Sequence, residues 1–291
     1  MALGRVVRAL AAALCVAAVA VSTAARAEGE LPSDGRDAVP SALLEDGGFL
    51  ELGLELVRIR TAGGNRPKDD EADTWLDVEI GFGWRRGVAF SEGRTSGFGG
   101  FFSAGATLWN DEHRVLDLLV VHEASEILSD FADYDLGDHD FERWEPVIRR
   151  KSFYSSGLRL RRYGDSTLAQ LSLVIDWKHG NGLLGAAHLG QQWQFGNWNA
   201  QAVVGLRHAS PRLADFLTGI DDEEASELFP AYRAPALTFG EVELELSRAL
   251  SRKWVFRLRW RGRRFENGVT DSPLIARDRS TAFETGISYV F

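Results

Sequence analysis

The sequence predicts an all-β protein: a transmembrane, antiparallel, up-and-down β-barrel of the bacterial outer membrane. Its strand count is about 12, with about 10 as the alternative. Three observations predict this. Apolar residues recur at every second position in segment after segment. The connections between segments alternate long and short. The final segment ends aromatic-x-aromatic at Tyr289 and Phe291.

Export comes first along the chain. Arg5 and Arg8 give a positive start, an apolar run follows over 9–21, and Ala25-Arg26-Ala27 fits the small-x-small cleavage pattern. Ser22 and Thr23 end the run before it reaches the ~20 residues of a spanning helix. Leu14 stands before Cys15 where a lipoprotein signal wants a small residue. Residues 1–27 are therefore expected to be a cleaved secretory signal peptide. Residues 28–48, which hold no aromatic, are expected to be a flexible periplasmic segment, and 49–291 the barrel. Cleavage removes three arginines and no acids, taking the net charge of −9 to −12. It also removes Met1 and Cys15, leaving no thiol for a disulfide, a nucleophile or a metal.

The period-two segments fall at 49–60, 74–84, 88–92, 98–108, 115–122, 153–162, 167–177, 183–195, 198–208, 237–248, 253–263 and 281–291. Leu50, Leu52, Leu54 and Leu56 alternate with Glu51, Gly53 and Glu55. Trp254, Phe256, Leu258 and Trp260 alternate with Arg257, Arg259 and Arg261. Most segments are near the ~9–11 residues that cross an outer membrane at a tilt. Long connections at 61–73, 93–97, 123–152, 178–182, 209–236 and 264–280 are expected outside the cell. Short ones, 109–114 and 249–252 among them, are expected in the periplasm. Trp84, Trp109, Tyr163, Trp193, Phe195, Trp198 and Trp254 flank the short turns and suggest a periplasmic aromatic girdle. Trp75, Phe98, Tyr154 and Trp177 suggest the opposite girdle.

Composition removes other classes. The 291 residues are 45% hydrophobic, with 30 Gly, 9 Trp and 17 Phe. A mean hydropathy of −0.16 excludes a polytopic helical membrane protein. A pI of about 5.3 leaves no basic field for nucleic acid.

Chemistry-bearing residues are sparse. Ser172, Asp176, His179 and His188 could form a Ser/His/acid set near one rim, but polar filling of the lumen accounts for them more simply. The six histidines (113, 122, 139, 179, 188, 208) lack a metal-ligand spacing. Asp130, Asp133, Asp135, Asp138 and Asp140 make an acidic loop that is either solvated or a cation site bridging lipopolysaccharide phosphates. Glu241, Glu243 and Glu245 should face Arg257, Arg259, Arg261 and Arg263 as a charge ladder on the lumen wall. No catalytic, cofactor-binding or metal-binding residue is assigned, and the chain is expected not to be an enzyme.

One resemblance adds to this. The stretch LTGIDDEEASELFPAYRAP (217–235) and the end NGVTDSPLIARDRSTAFETGISYVF (267–291) resemble the MipA/OmpV family of outer-membrane proteins. The matching residues are Gly219-Ile220, Ala225, Ser226, Pro230-Ala231-Tyr232, Asp271-Ser272-Pro273-Leu274 and Gly286-Ile287-Ser288-Tyr289-Val290-Phe291. Leu228-Phe229 stands where the family has Gly-Leu. The resemblance implies an outer-membrane barrel. In some members it implies a scaffold that bridges a lytic transglycosylase and a peptidoglycan synthase. Expected partners are therefore outer-membrane lipid and lipopolysaccharide, periplasmic murein-remodelling enzymes, and the barrel assembly machinery during insertion. The alternatives are a narrow diffusion channel for small solutes and a barrel lipid hydrolase.

Overall fold

A strand with leucines on one face and glutamates on the other would bury its leucines in water. In the computed structural model the reverse holds: Leu54 is 63% exposed and Leu76 74%, whereas Glu55 is 3% exposed and Glu79 2%. An apolar exterior around a charged interior is stable only where the surrounding solvent is lipid. The structure describes residues 46–60, 62, 73–96, 99–124, 152–177, 182–227, 229–266, 268–275 and 277–291. The expected signal peptide and most of the 28–48 segment lie outside them, as does the acidic loop 130–140.

Twelve strands run β1 (Gly47–Arg60), β2 (Asp73–Arg86), β3 (Ala89–Ser96), β4 (Gly99–Asn110), β5 (Arg114–Ala124), β6 (Ser152–Tyr163), β7 (Thr167–Asp176), β8 (Gly182–Phe195), β9 (Trp198–Ala209), β10 (Leu237–Ala249), β11 (Trp254–Phe265) and β12 (Arg279–Val290). Each pairs antiparallel with the next, and β1 pairs with β12 to close the barrel. The count is therefore 12, not 10. β3 is longer than the predicted 88–92, and β1 begins two residues before the predicted start at 49. Crossing is by strands; no helix among the described residues is long and apolar enough to span a membrane.

The tightest turns carry Gly87 (φ 57) and Gly196 (φ 60), the positive φ that two-residue hairpins of matching twist require. β4 contains an irregularity: its register against β5 skips a residue between Thr107 and Trp109. This bulge reverses the facing of the strand's last residues. Thr107 points into the lumen, where it meets Asp117, and Trp109 points out to lipid beneath the Arg114 guanidinium, 5.3 Å away.

The girdles need two corrections. Trp84, Trp109, Phe195 and Trp254 are exposed at the short-turn end, and Trp198 meets Phe256 edge-on at 6.3 Å. Tyr163, however, shares the facing of Arg161, whose guanidinium lies 5.8 Å from its ring; it faces the lumen. Trp75 shares the facing of Glu79 and packs on Ile59 and Ala282. At the long-loop end Tyr154 stacks with Trp177 at 6.2 Å and His122 at 4.5 Å. Phe98 lies outside the described residues.

With an even strand count, long loops outside place both barrel ends in the periplasm. Epitope tags at 61–73 or 222–226 are expected to be reached by antibody on intact cells, and tags at 111–113 or 250–253 only after the outer membrane is opened. The opposite accessibility would invert the barrel.

Candidate functional site

The predicted ladder between β10 and β11 is present. Glu241, Glu243 and Glu245 lie opposite Arg263, Arg261 and Arg259. The three Arg Nε groups donate across at 3.0, 2.9 and 3.1 Å. It does more than line one wall. Arg259 Nη1 also donates to Glu284 on β12 at 2.6 Å. Arg257 reaches Glu51 on β1 and Glu79 on β2, and Glu79 in turn accepts from Arg94 on β3. Arg94 comes within 3.8 Å of Glu245 on β10. β3 and β10 stand five steps apart in a ring of twelve, so this web crosses nearly the whole lumen.

A second web fills the other side. The fully buried Asp117 accepts from Arg159 Nε at 3.2 Å, Arg161 Nη2 at 2.7 Å and Thr107 Oγ1 at 2.9 Å. Thr107 accepts from Arg85 at 2.9 Å. Arg159 also binds Glu92, which accepts from Ser103 at 2.9 Å. Buried charges are tolerated when paired and hydrogen-bonded. The arginines and acids of the two webs are partnered in this way, though among the described residues the single atoms Arg161 Nε and Glu284 Oε1 make no hydrogen bond.

Between the webs lies a cavity of about 430 Å³, lined by Gln170, Ser172, His188, Arg207, Glu241 and Glu243 among others. The structure brings Ser172 and His188 to this one space. His188 Nε2 pairs with Glu241 Oε1 at 2.6 Å, while Ser172 lies opposite Ala186, two residues from His188 along β8. Asp176 sits at the end of β7, opposite Gly182, and does not line the cavity. His179 lies outside the described residues. Of the other histidines, His122 stacks on Tyr154 and His208 bonds Thr238, both on the outer wall. Among the described residues no three His, Cys, Asp or Glu side chains are placed to share a metal ion.

The long-loop mouth holds an apolar lid that the sequence reading places as an outside loop. Residues 211–218 form a helix, α1 (Pro211–Thr218), started by a proline whose missing N–H costs nothing at that position. It buries Leu213, Ala214 and Leu217 in one cluster with Leu184, Ala209, Leu237, Phe239 and Phe265 of the inner wall. The rest of 210–236 folds back. Ile220 bridges Tyr232, Asp215 Oδ1 accepts from Ala234 N at 2.8 Å, and Phe229 is buried. Burial, with the Asp271 and Asp215 carboxylates nearby, pushes the Tyr232 hydroxyl above its usual range. The loop before β12 adds Val269, Leu274 and Ile275, and Ser272 Oγ donates to Thr218 O at 2.5 Å. Phe239 joins lid to lumen, with the guanidinium carbons of Arg207 and Arg263 at 5.5 and 5.7 Å from its ring. The residues that carry the family resemblance, 217–235 and Asp271 to Leu274, are thus largely the residues that build the lid.

Comparison with known proteins agrees. The family described as MltA-interacting protein MipA matches residues 73–291. No curated protein matches the chain. Among solved structures, the barrel is similar to the NanC porin (7% identity, TM-score 0.42, covering 82% of this chain and 98% of that one). It is similar also to the KdgM porin (9%, 0.41, 82% and 99%). A third is the toluene transporter TbuX of Ralstonia pickettii (9%, 0.38, 86% and 90%). With the lipid-facing exterior and the matched sequence together, the chain is an outer-membrane β-barrel that belongs to the MipA family.

Proposed function

We propose that this barrel is a non-conducting, non-enzymatic anchor that docks periplasmic cell-wall enzymes at the outer membrane. The observation that carries the reading is the filled lumen: ion pairs bridge it from β3 to β10, and an apolar lid occupies its mouth. A pore for free diffusion keeps its lumen open to water. The name of the family's MipA, an MltA-interacting protein, supports a murein-enzyme partner. The short-turn end, periplasmic in this orientation, is where such a partner would dock. There the Asp111 carboxylate accepts from the backbone N–H groups of His113 and Arg114, at 2.9 and 2.8 Å, and fixes that turn.

A second reading, a narrow channel for small polar solutes, is favoured by the cavity of about 430 Å³. Planar-bilayer recording separates the two. The purified protein is expected to give no conductance steps, and crosslinking in intact envelopes is expected to capture a lytic transglycosylase or a peptidoglycan synthase. Discrete steps, with neither enzyme captured, would replace the anchor by the channel.

A further inference from the structure

We propose that the outer wall of β11, β12 and β1, at the long-loop rim, binds the phosphates of lipid A, the phosphorylated glycolipid of the outer leaflet. Four arginines carry this: Arg58 and Arg60 on β1, Arg279 on β12 and Arg264 on β11. Their facing follows from register. Arg58 and Arg60 alternate with the lumen-facing Val57 and Ile59, and Arg279 alternates with the buried Ser280. Arg264 alternates with Phe265 and Arg263, both on the inner wall. All four therefore share the lipid-facing wall with Leu54, Leu56, Trp260 and Phe283, which are exposed.

The arginines are neighbours. Arg264 stands directly opposite Arg279. Arg60 lies opposite Thr281, two residues along β12 from Arg279, and Arg58 lies opposite Phe283. Like charges directly opposite on a sheet repel. Asp278 lies 4.0 Å from an Arg264 side chain that is 76% exposed. Screening at that exposure makes the pair weak. An anion between the strands would turn the repulsion into shared, bidentate binding, for which the guanidinium fork is shaped.

Depth selects the anion. From Leu50 to Arg58 is eight residues, about 27 Å along the strand and roughly 20 Å along the membrane normal at a tilt near 40°. The apolar band of such barrels is about 25 Å tall. Arg60, two residues farther and roughly 26 Å along the normal, thus reaches its far edge, and the long Arg58 side chain extends from just below it to the same headgroup height, where an arginine is tolerated. Trp260 and Phe283 lie on the membrane side of the strip. An occupant must then place phosphate at the rim and acyl chains beside those rings, as a lipid does and a soluble anion does not. The other end of the same seam carries an aromatic cluster, Trp254, Tyr289 and Phe291, with Lys253 over the Tyr289 ring, rather than arginines paired across strands.

Native mass spectrometry of the protein in detergent tests this, and does not depend on which way the barrel lies in cells. Added bisphosphorylated lipid A is expected to stay bound. Dephosphorylated lipid A and phosphatidylglycerol should not, and inorganic phosphate at the same concentration should not displace it. Arg264→Gln with Arg279→Gln is expected to reduce retention at least about tenfold. Arg248→Gln, at the short-turn end, should leave it unchanged. Both arginines of the double variant are exposed, so folding is expected to persist, checked by heat-modifiable migration. If that variant misfolds, the comparison of phosphorylated with dephosphorylated lipid A on the native chain decides. Equal retention of dephosphorylated lipid A or phosphatidylglycerol, or a folded double variant that retains lipid A normally, overturns the proposal.

Discussion

Arg259→Ala is expected to destabilise the barrel by about 3–5 kcal/mol, the usual loss when one partner of a buried ion pair is removed. Arg259 is 2% exposed and sits where three strands meet. It bonds Glu245 at 3.1 Å and Glu284 at 2.6 Å, and its Nη2 lies 3.5 Å from Glu79. Alanine would remove the guanidinium that Glu245, Glu284 and Glu79 share, leaving Arg94 and Arg257 to offset the charge of Glu79 and Glu245 while Glu284 loses its bond to Arg259. The temperature at which the folded band disappears in heat-modifiability gels should fall sharply, and the urea midpoint with it. Arg259→Met combined with Glu284→Gln should recover part of the loss, because neutralising both sides costs less than orphaning one. A midpoint unchanged in Arg259→Ala would mean that the web does not hold the barrel together.

How far this was legible in the sequence depends on the range of each interaction. Strand alternation is local, so the twelve segments, their facing and the Glu241–Arg263 ladder could all be read from parity. Trp109 comes out on the lipid face only because the bulge at Thr107 reverses the end of β4, and nothing in the alternation announces that skip. Trp75 and Tyr163 were placeable by the same parity that places Glu79 and Arg161; assigning them by height along the strand puts them on the wrong wall. Cross-lumen partners are a different matter. Arg94 meets Glu245 only once twelve strands have closed, because the diameter of the ring decides which opposing side chains touch. The inward alternation of Glu51, Glu79, Glu92, Asp117 and Arg159 signals charge in the lumen, but not which acid meets which base.

The lid shows the same limit from the other side. Pro211 followed by Leu213, Ala214 and Leu217 is a helix-start signal with one apolar face. Within a polar connection it is weak, and the apolar wall that makes the helix worth forming comes from β8, β9, β10 and β11. The family-like residues at 217–235 are accordingly explained by packing: Gly219 donates to Asp215 O, Tyr232 pairs with Ile220 and Ser226 holds Phe229. A segment so committed to the mouth is unsuited to hold a periplasmic enzyme. The docking role proposed above therefore falls to the short-turn end.

Deleting Phe291 is expected to lower the folded, heat-modifiable protein in the outer membrane by roughly tenfold. The barrel closes where β12 meets β1, and Phe291 extends that seam: its N–H donates to Leu50 O at 2.9 Å. Its ring is 61% exposed on the lipid side and packs edge-on to Tyr289 at 4.6 Å, which packs in turn on Trp254 at 5.2 Å. Lys253 Nζ sits 5.2 Å from the Tyr289 ring centre, so the residue ends a cluster at headgroup height. An aromatic pair contributes about 0.5–1.5 kcal/mol beyond its buried area, and a hydrogen bond about 1 kcal/mol. Losing both weakens seam closure by about 1.4 kcal/mol or more, which is tenfold in an equilibrium. The loss should appear in cells as unfolded protein held in the periplasm. Phe291→Tyr keeps ring and backbone donor and should insert normally, whereas Phe291→Ala keeps only the donor and should fall between. Equal amounts of folded deletion variant and native chain in the outer membrane would show that the seam closes, and is recognised, without this residue.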